Sequence, residues 1–175
     1  MPNEDSLEIA VENLDTKFPI IMKTLRGSKG VGVLYIESER ALSSIVQLMY
    51  KTDSNADLLI QEYIKTDFDV RVIVLDGQVI ATMQREVVEG DFRSNFSQGS
   101  KVKPYKLTEL EIEQVLLASK ALGGILSAVD FIASKNPQKI PPYILEVNSS
   151  PGTEGIEKAN NKNIVKDILV HFRNP

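Results

Sequence analysis

Residues 144–152 read ILEVNSSPG, and this stretch decides most of what the chain can be. Its apolar first part is typical of a strand and carries Glu146 and Asn148, two positions apart. Side chains at that spacing point to the same face of a strand. Asp130 lies in a second apolar run just upstream. Carboxylate and amide oxygens suit magnesium, which usually takes further ligands from water and substrate phosphates. The three residues therefore predict a metal site that also binds a nucleotide phosphate.

Asp130 also admits a structural interpretation. It stands in the apolar run AVDFI, residues 128–132, and a buried carboxylate without a partner is costly. A Lys or Arg side chain, or backbone amides, would satisfy it without any metal. The sequence favours the metal site and leaves the ion pair open.

Composition excludes several other chemistries. The chain has 175 residues, enough for one domain or for two small lobes. Its net charge of -4 argues against a general affinity for nucleic acid or an anionic membrane. It has no Cys, and His171 is its only histidine, which argues against thiolate or histidine zinc sites and a Ser-His-Asp triad. No apolar run reaches the roughly 20 residues of a membrane span, so we expect a cytoplasmic protein without membrane contact.

Hydrophobic periodicity predicts an alternation of strands and helices. Two hairpins are predicted, one from residues 18–24 and 31–36 around a glycine-rich loop, the other from residues 70–75 and 79–83 around the turn Asp76-Gly77. Further strands are predicted at residues 58–64, 127–133 and 143–147, and helices at 39–50, 108–122, 153–159 and 163–172. Without regular βαβ spacing, this order favours an α+β fold with mainly antiparallel sheets and a lobe boundary near residues 64–69.

Three further segments have the chemistry of a nucleotide site, and each has a plainer interpretation. Lys23 precedes the glycine-rich loop, where Arg26 and Lys29 could contact phosphates. This loop matches neither the P-loop motif nor the dinucleotide-binding fingerprint. It could therefore also be a solvent-exposed hairpin tip. Residues 61–64 could bind a nucleobase along the strand edge or be merely a strand. Arg85 and Arg93 could bind phosphate or form surface ion pairs.

Taken in order, the motifs resemble one family, the RimK-type alpha-L-glutamate ligases of the ATP-grasp superfamily. The resemblance runs from residue 18 to the end of the chain. It is carried by KTLRGSKGVG at 23–32, QEYIK at 61–65, DVR at 69–71, EGDFRSN at 89–95, AVD at 128–130, and LEVNSSPG at 145–152 with EGIEK at 154–158.

The resemblance implies roles for individual residues. Lys23 and Arg93 would be catalytic at the phosphates, and Asp130, Glu146 and Asn148 would bind two magnesium or manganese ions. The implied nucleotide-binding set is Lys23, Arg26, Gly27, Gly30, Glu62, Tyr63, Asp69, Arg93, Ser94 and Asn95.

The resemblance also implies an architecture. We expect an ATP-grasp fold, with two lobes that each have an antiparallel sheet and helices, and an ATP cleft between them. Residues 1–66 would be part of the first lobe and residues 67–175 the second lobe with the metal site. Family members carry an N-terminal domain and the start of the first lobe before this region, so the chain is expected to be a fragment.

The implied reaction is ATP-dependent amide formation through an acylphosphate. The expected partners are ATP, glutamate and a carboxylate acceptor, and the C-terminus of a ribosomal protein is a candidate acceptor. We expect no direct nucleic-acid partner. The protein could form a homo-oligomer. Two alternatives stay open at this point. One is a truncated nucleotide-binding module without ligase activity, and the other is a family ligase of coenzyme or amino-acid biosynthesis.

Overall fold

The structure is a computed structural model that describes residues 9, 11–14, 18–25, 32–87 and 100–173. It divides into two compact units, Met1–Lys65 and Thr66–Pro175. The loops predicted at residues 26–30 and 89–99 lie outside the described residues. The assignment of residues 1–66 and 67–175 to a partial first lobe and a second lobe stays a prediction.

The described residues from 18 to 62 of the first unit form a three-stranded antiparallel sheet and a helix. The strands are β1 (Ile20–Thr24), β2 (Val33–Ile36) and β3 (Leu58–Glu62), in the order β2-β1-β3, and the helix is α1 (Glu39–Thr52). The Ser38 hydroxyl caps α1 by accepting from the backbone N–H of Ala41. The apolar faces of sheet and helix meet in a core of Ile20, Met22, Ile36, Leu42 and Val46.

The first predicted hairpin is confirmed, and a glycine is needed where the chain enters its second strand. Gly32 has a φ of +85°, and a Cβ there would stand 2.2 Å from the Thr24 hydroxyl oxygen. The backbone N–H of Thr24 also donates to the Gly32 carbonyl at 3.0 Å. Only a residue without a side chain fits this approach at low cost.

Residues 66–87 and 100–173, the described part of the second unit, form a five-stranded antiparallel sheet and three helices. Its strands are β4 (Phe68–Leu75), β5 (Gln78–Glu86), β6 (Val102–Lys103), β7 (Leu126–Ile132) and β8 (Tyr143–Asn148), in the order β6-β5-β4-β7-β8. Its helices are α2 (Glu109–Leu122), α3 (Glu154–Asn160) and α4 (Ile164–Arg173). The predicted hairpin at Asp76-Gly77 is confirmed as β4 and β5. Strand β6 was not predicted from the sequence, and it has two residues.

Apolar side chains cover both faces of this sheet. On one face Val70, Val72, Val74, Val129 and Phe131 pack with Val115 of α2. On the other face Ile73, Ala81, Met83 and Ala128 pack with Ile156 of α3 and Ile164 of α4. Alternate residues of a strand point to opposite faces, so a polar residue between these valines must lie on the face of α3 and α4. None of the helices in the described part of the chain has the length and apolarity that crossing a membrane requires.

A buried carboxylate fixes the start of α2. Glu111 has no exposed surface, and it completes a capping box in which the Thr108 backbone N–H donates to Oε2 at 2.8 Å. The Tyr105 hydroxyl donates to Glu111 Oε1 at 3.0 Å. Burial raises the pKa of Tyr105, and the hydrogen bond and charge of Glu111 raise it further, so the phenol keeps its proton.

We predict that Glu111→Ala lowers the free energy of unfolding by about 2–3 kcal/mol, because it removes the acceptor of two partly buried hydrogen bonds. Glu113→Ala is the matched control, since Glu113 is exposed on the same helix and loses the same charge. Urea unfolding followed by circular dichroism measures both. Equal losses in the two variants would contradict the role given to Glu111.

Candidate functional site

Strand register brings charged residues of four strands to one face of the second sheet. Arg71 of β4 lies opposite Asp130 of β7, and Asp130 lies opposite Glu146 of β8. On the other side of β4, Asp69 lies opposite Arg85 of β5. Residues directly opposite each other on antiparallel strands share a face, with Cβ atoms about 5 Å apart. The charged row therefore lies on the face that α3 and α4 cover elsewhere.

A β-bulge is needed for this arrangement. The pairing of β4 with β5 shifts by one residue between Ile73 and Val74. Without that shift Gln84 would lie opposite Asp69, and the side chain of Arg85 would point to the face of α2.

Two arginines and two aspartates form a continuous ion-pair network, here called the Arg–Asp network. Arg71 binds Asp130 with two hydrogen bonds, Nε to Oδ1 at 2.7 Å and Nη2 to Oδ2 at 2.6 Å. Arg85 binds Asp69 in the same way, at 2.6 and 2.7 Å. Arg85 Nη2 also donates to Asp130 Oδ2 at 2.9 Å. Such two-point contacts between guanidinium and carboxylate are the strong class of charge-assisted hydrogen bond.

The network is largely removed from water. Asp69 and Asp130 are each 6% exposed and Arg85 is 3% exposed. Burial by itself raises the pKa of Asp130, but the hydrogen bonds and charges of Arg71 and Arg85 outweigh it and hold that pKa below its usual range. Burial likewise lowers the pKa of Arg85, and the two aspartates outweigh it and raise that pKa. Both partners are therefore charged in the folded protein.

The structure decides what the sequence left open about Asp130 and Arg85. Asp130 does have arginine partners, as its structural interpretation required. Arg85 forms a buried ion pair and not a surface one. Arg71 entered the sequence analysis only as part of a motif, and its pairing was missed. Its position between valines of a buried strand was the available indication, since a charged residue there needs a partner.

The predicted metal ligands share the face of the network. Glu146 is exposed opposite Asp130, and Asn148 lies opposite Ala128, one step further along the same face. The Asn148 Oδ1 accepts from the backbone N–H of Ser150 at 2.8 Å. Among the described residues no group of three or more His, Cys, Asp or Glu could hold a metal ion.

The donor set nevertheless fits magnesium by its chemistry. Asp130, Glu146 and Asn148 supply only oxygen atoms, and magnesium accepts few protein ligands when water and phosphate complete its shell. A carboxylate has about four lone-pair positions, of which the Arg–Asp network uses three on Asp130. One position on Oδ1 is left for a cation.

The first unit contains the predicted nucleotide-site residues Lys23, Glu62 and Tyr63. Tyr63 contacts Tyr35 edge-on, with ring centroids 4.9 Å apart, and register places Tyr35 on the same face of the sheet as Lys23. This is the face opposite α1. Glu62 lies opposite Ile20 and so belongs to the face of α1. The structure thus brings Lys23 and Tyr63 to one face and Glu62 to the other.

Six predicted site residues lie outside the described residues: Arg26, Gly27, Gly30, Arg93, Ser94 and Asn95. Asp69 is described, and its carboxylate binds Arg85. Its predicted contact with the nucleotide stays a prediction.

Comparison with known proteins decides the family. Residues 1–172 match the family described as the RimK-like ATP-grasp domain. The chain belongs to this RimK-like ATP-grasp family. The family predicted from the motifs is therefore confirmed.

Two curated relatives of this ATP-grasp chain are named probable alpha-L-glutamate ligase. A protein of Coxiella burnetii (strain Dugway 5J108-111), named probable alpha-L-glutamate ligase, is 42% identical over 153 residues, which are 86% of this chain and 49% of that protein. A protein of the same name from Marinomonas sp. (strain MWYL1) is 39% identical over 156 residues, 88% of this chain and 50% of that protein. The chain spans about half the length of these relatives.

Solved structures confirm the ATP-grasp fold and its α+β class. The ATP-grasp ligase PsnB, complexed with a phosphomimetic variant of a minimal precursor, Mg and ADP, aligns with a TM-score of 0.69 at 19% identity, over 96% of this chain and 49% of that one. The D-alanine–D-alanine ligase from Bacillus anthracis aligns with a TM-score of 0.66 at 21% identity, over 97% of this chain and 57% of that one.

We predict that Arg85→Met lowers the free energy of unfolding by about 3–5 kcal/mol, because it leaves Asp69 buried without its arginine. Arg173→Met is the matched control: Arg173 is exposed near the end of α4, and its loss should change stability by less than about 0.5 kcal/mol. Chemical unfolding measures both. A small effect of Arg85→Met would mean that the network does not hold the sheet together.

Proposed function

We propose that this chain is the ATP-binding and metal-binding part of an ATP-dependent ligase that joins a carboxylate to an amine. One observation carries the proposal: in a chain of this family, strand register sets Asp130, Glu146 and Asn148 on one face of one sheet. The names of the curated relatives support glutamate as the amino acid that is added.

The proposed reaction has two steps. A carboxylate oxygen of the acceptor attacks the γ-phosphorus of ATP, an O–P bond forms, and the bond to the β-phosphate oxygen breaks with release of ADP. The amine nitrogen then attacks the acyl carbon, a C–N bond forms, and inorganic phosphate leaves as the nitrogen loses a proton. No protein nucleophile is required, which agrees with a chain that has no Cys and one His.

We assign the metal corner to Asp130, Glu146 and Asn148, which would hold two magnesium or manganese ions. Bound divalent cations would neutralise the charge that develops on the phosphates. Glu146 is the exposed carboxylate of the set and needs no rearrangement to bind a cation. Asp130 is held in place by two guanidinium groups before any ligand arrives.

The nucleotide site is assigned on the family's motifs. Lys23 and Arg93 would bind the phosphates and act in catalysis, and residues 26–32 would close over them. Tyr63, next to Tyr35 on the face of Lys23, would lie on the adenine side. The remaining proposed nucleotide contacts are Arg26, Gly27, Gly30, Glu62, Asp69, Ser94 and Asn95.

The acceptor is proposed to be a carboxylate on a peptide or protein. PsnB was solved with a precursor peptide, which shows that another protein of this fold takes a peptide partner. The C-terminus of a ribosomal protein is our candidate for this chain's family. Since ATP and ribosomes are cytoplasmic, we propose the same location for the protein.

We predict that ATP with magnesium raises the melting temperature of the 175-residue chain, and that Glu146→Ala removes the shift because a cation ligand is lost. Glu113→Ala, an exposed glutamate on α2, is the matched control and should keep the shift. Differential scanning fluorimetry at several ATP concentrations measures the three proteins. If no nucleotide shifts the wild-type chain, the proposed site is wrong.

We further predict coupled product release from a protein that carries this chain at the full length of its curated relatives. ADP and phosphate should appear in equal amounts only when glutamate and a carboxylate acceptor are both present. A coupled assay for ADP and a colorimetric assay for phosphate measure the two products. Phosphate release without an amine would instead indicate an ATPase.

A further inference from the structure

The two arginines of the Arg–Asp network are not equivalent. The Arg85 side chain is 3% exposed and contacts both aspartates. The Arg71 side chain is 18% exposed and contacts Asp130 alone. Withdrawal of Arg85 would break contacts with two buried carboxylates, whereas withdrawal of Arg71 would leave Asp130 paired to Arg85 at 2.9 Å. Arg71 is therefore the partner that the fold can release.

Arg71 also occupies the part of Asp130 that a cation needs. Its Nε binds Oδ1, which has the remaining lone-pair position, and its Nη2 binds Oδ2. Glu146 lies directly opposite Asp130 on the next strand, so a cation shared by the two carboxylates would sit close to the Arg71 guanidinium. Two positive charges that lie close together repel each other, and they do so more strongly in a partly buried site than in bulk water.

We propose that Arg71 is a positioning residue that acts as the resident counter-ion of Asp130 and opposes binding of a divalent cation in the absence of nucleotide. It keeps the buried carboxylate compensated and correctly oriented, and a bare cation has to displace it from part of Asp130. Phosphate groups bring the negative charge that offsets this repulsion, so the cation binds well only together with a nucleotide. This inference rests on the proposed role of Asp130 as a metal ligand.

A purely structural role of Arg71 would have the opposite effect on cation affinity. If Arg71 only held the sheet together, its removal would loosen Asp130 and weaken any cation site, or leave it unchanged. The proposal instead predicts a gain of affinity on removal of a side chain. A gain is hard to obtain from loss of structure, which makes the two explanations separable.

The test measures Mn²⁺ binding to the nucleotide-free 175-residue chain by the electron paramagnetic resonance signal of free Mn²⁺. Arg71→Met should bind Mn²⁺ about tenfold more tightly than the wild type, because one opposing positive charge is gone. Arg71→Lys keeps the charge and should bind within about threefold of the wild type. Arg71→Met combined with Asp130→Asn should lose the gain, which locates it at Asp130.

Arg173→Met is the matched control for net charge and should leave Mn²⁺ affinity unchanged, since Arg173 is an exposed residue of α4. Circular dichroism verifies that each variant is folded, and Arg71→Gln replaces Arg71→Met if the latter does not fold. Affinity equal to or below that of the wild type in a folded Arg71→Met or Arg71→Gln chain overturns the inference.

A parallel thermal-shift measurement with ATP and magnesium separates this inference from the proposed function. A wild-type shift without a gain of Mn²⁺ affinity in Arg71→Met rejects the counter-ion role alone. Absence of any nucleotide shift, together with no Mn²⁺ gain, rejects both.

Discussion

The buried pairing of Arg71 and Arg85 with Asp69 and Asp130 is the constraint on which the rest of the second unit depends. Four charges without partners could not stay in the interior of a small sheet. Their pairing requires β4, β5 and β7 to keep one register, because a slip by one residue turns every side chain to the opposite face. Asp130 would then lie among the valines that pack on α2. The network thus selects the register as much as the apolar core does.

The same register serves the candidate site. Once β7 is fixed by Asp130, the pairing of β7 with β8 places Glu146 opposite it and Asn148 opposite Ala128. The apolar half of this face is covered by α3 and α4, which begin soon after β8. Stability and the proposed chemistry therefore share one surface of the sheet. The side chains that keep the strands aligned are the ones that hold a candidate metal ligand in place.

Much of this could be predicted from the sequence, and the remainder has identifiable physical causes. Alternation and turn residues sufficed for both hairpins, and hydrophobic periodicity sufficed for the helix that begins after Thr108. The spacing of Glu146 and Asn148 predicted their common face. The contact of Arg85 with Asp69 was not predictable, because the regular two-residue turn at Asp76-Gly77 would set Gln84 opposite Asp69. A bulge after Ile73 shifts the pairing of β4 with β5 by one residue, and no glycine or proline at that position indicates the bulge in the sequence.

Charge balance supports the proposal that this face binds a metal–nucleotide complex and not a bare ion. Two arginines and three carboxylates, counting the exposed Glu146, leave a single net negative charge on the face. That is little attraction for a divalent cation that must also lose part of its hydration shell, and magnesium dehydrates reluctantly. Phosphate oxygens supply both further ligands and further negative charge. Because one carboxylate is uncompensated among the described residues of this face, we expect the proposed site to favour a cation that arrives already bound to phosphate.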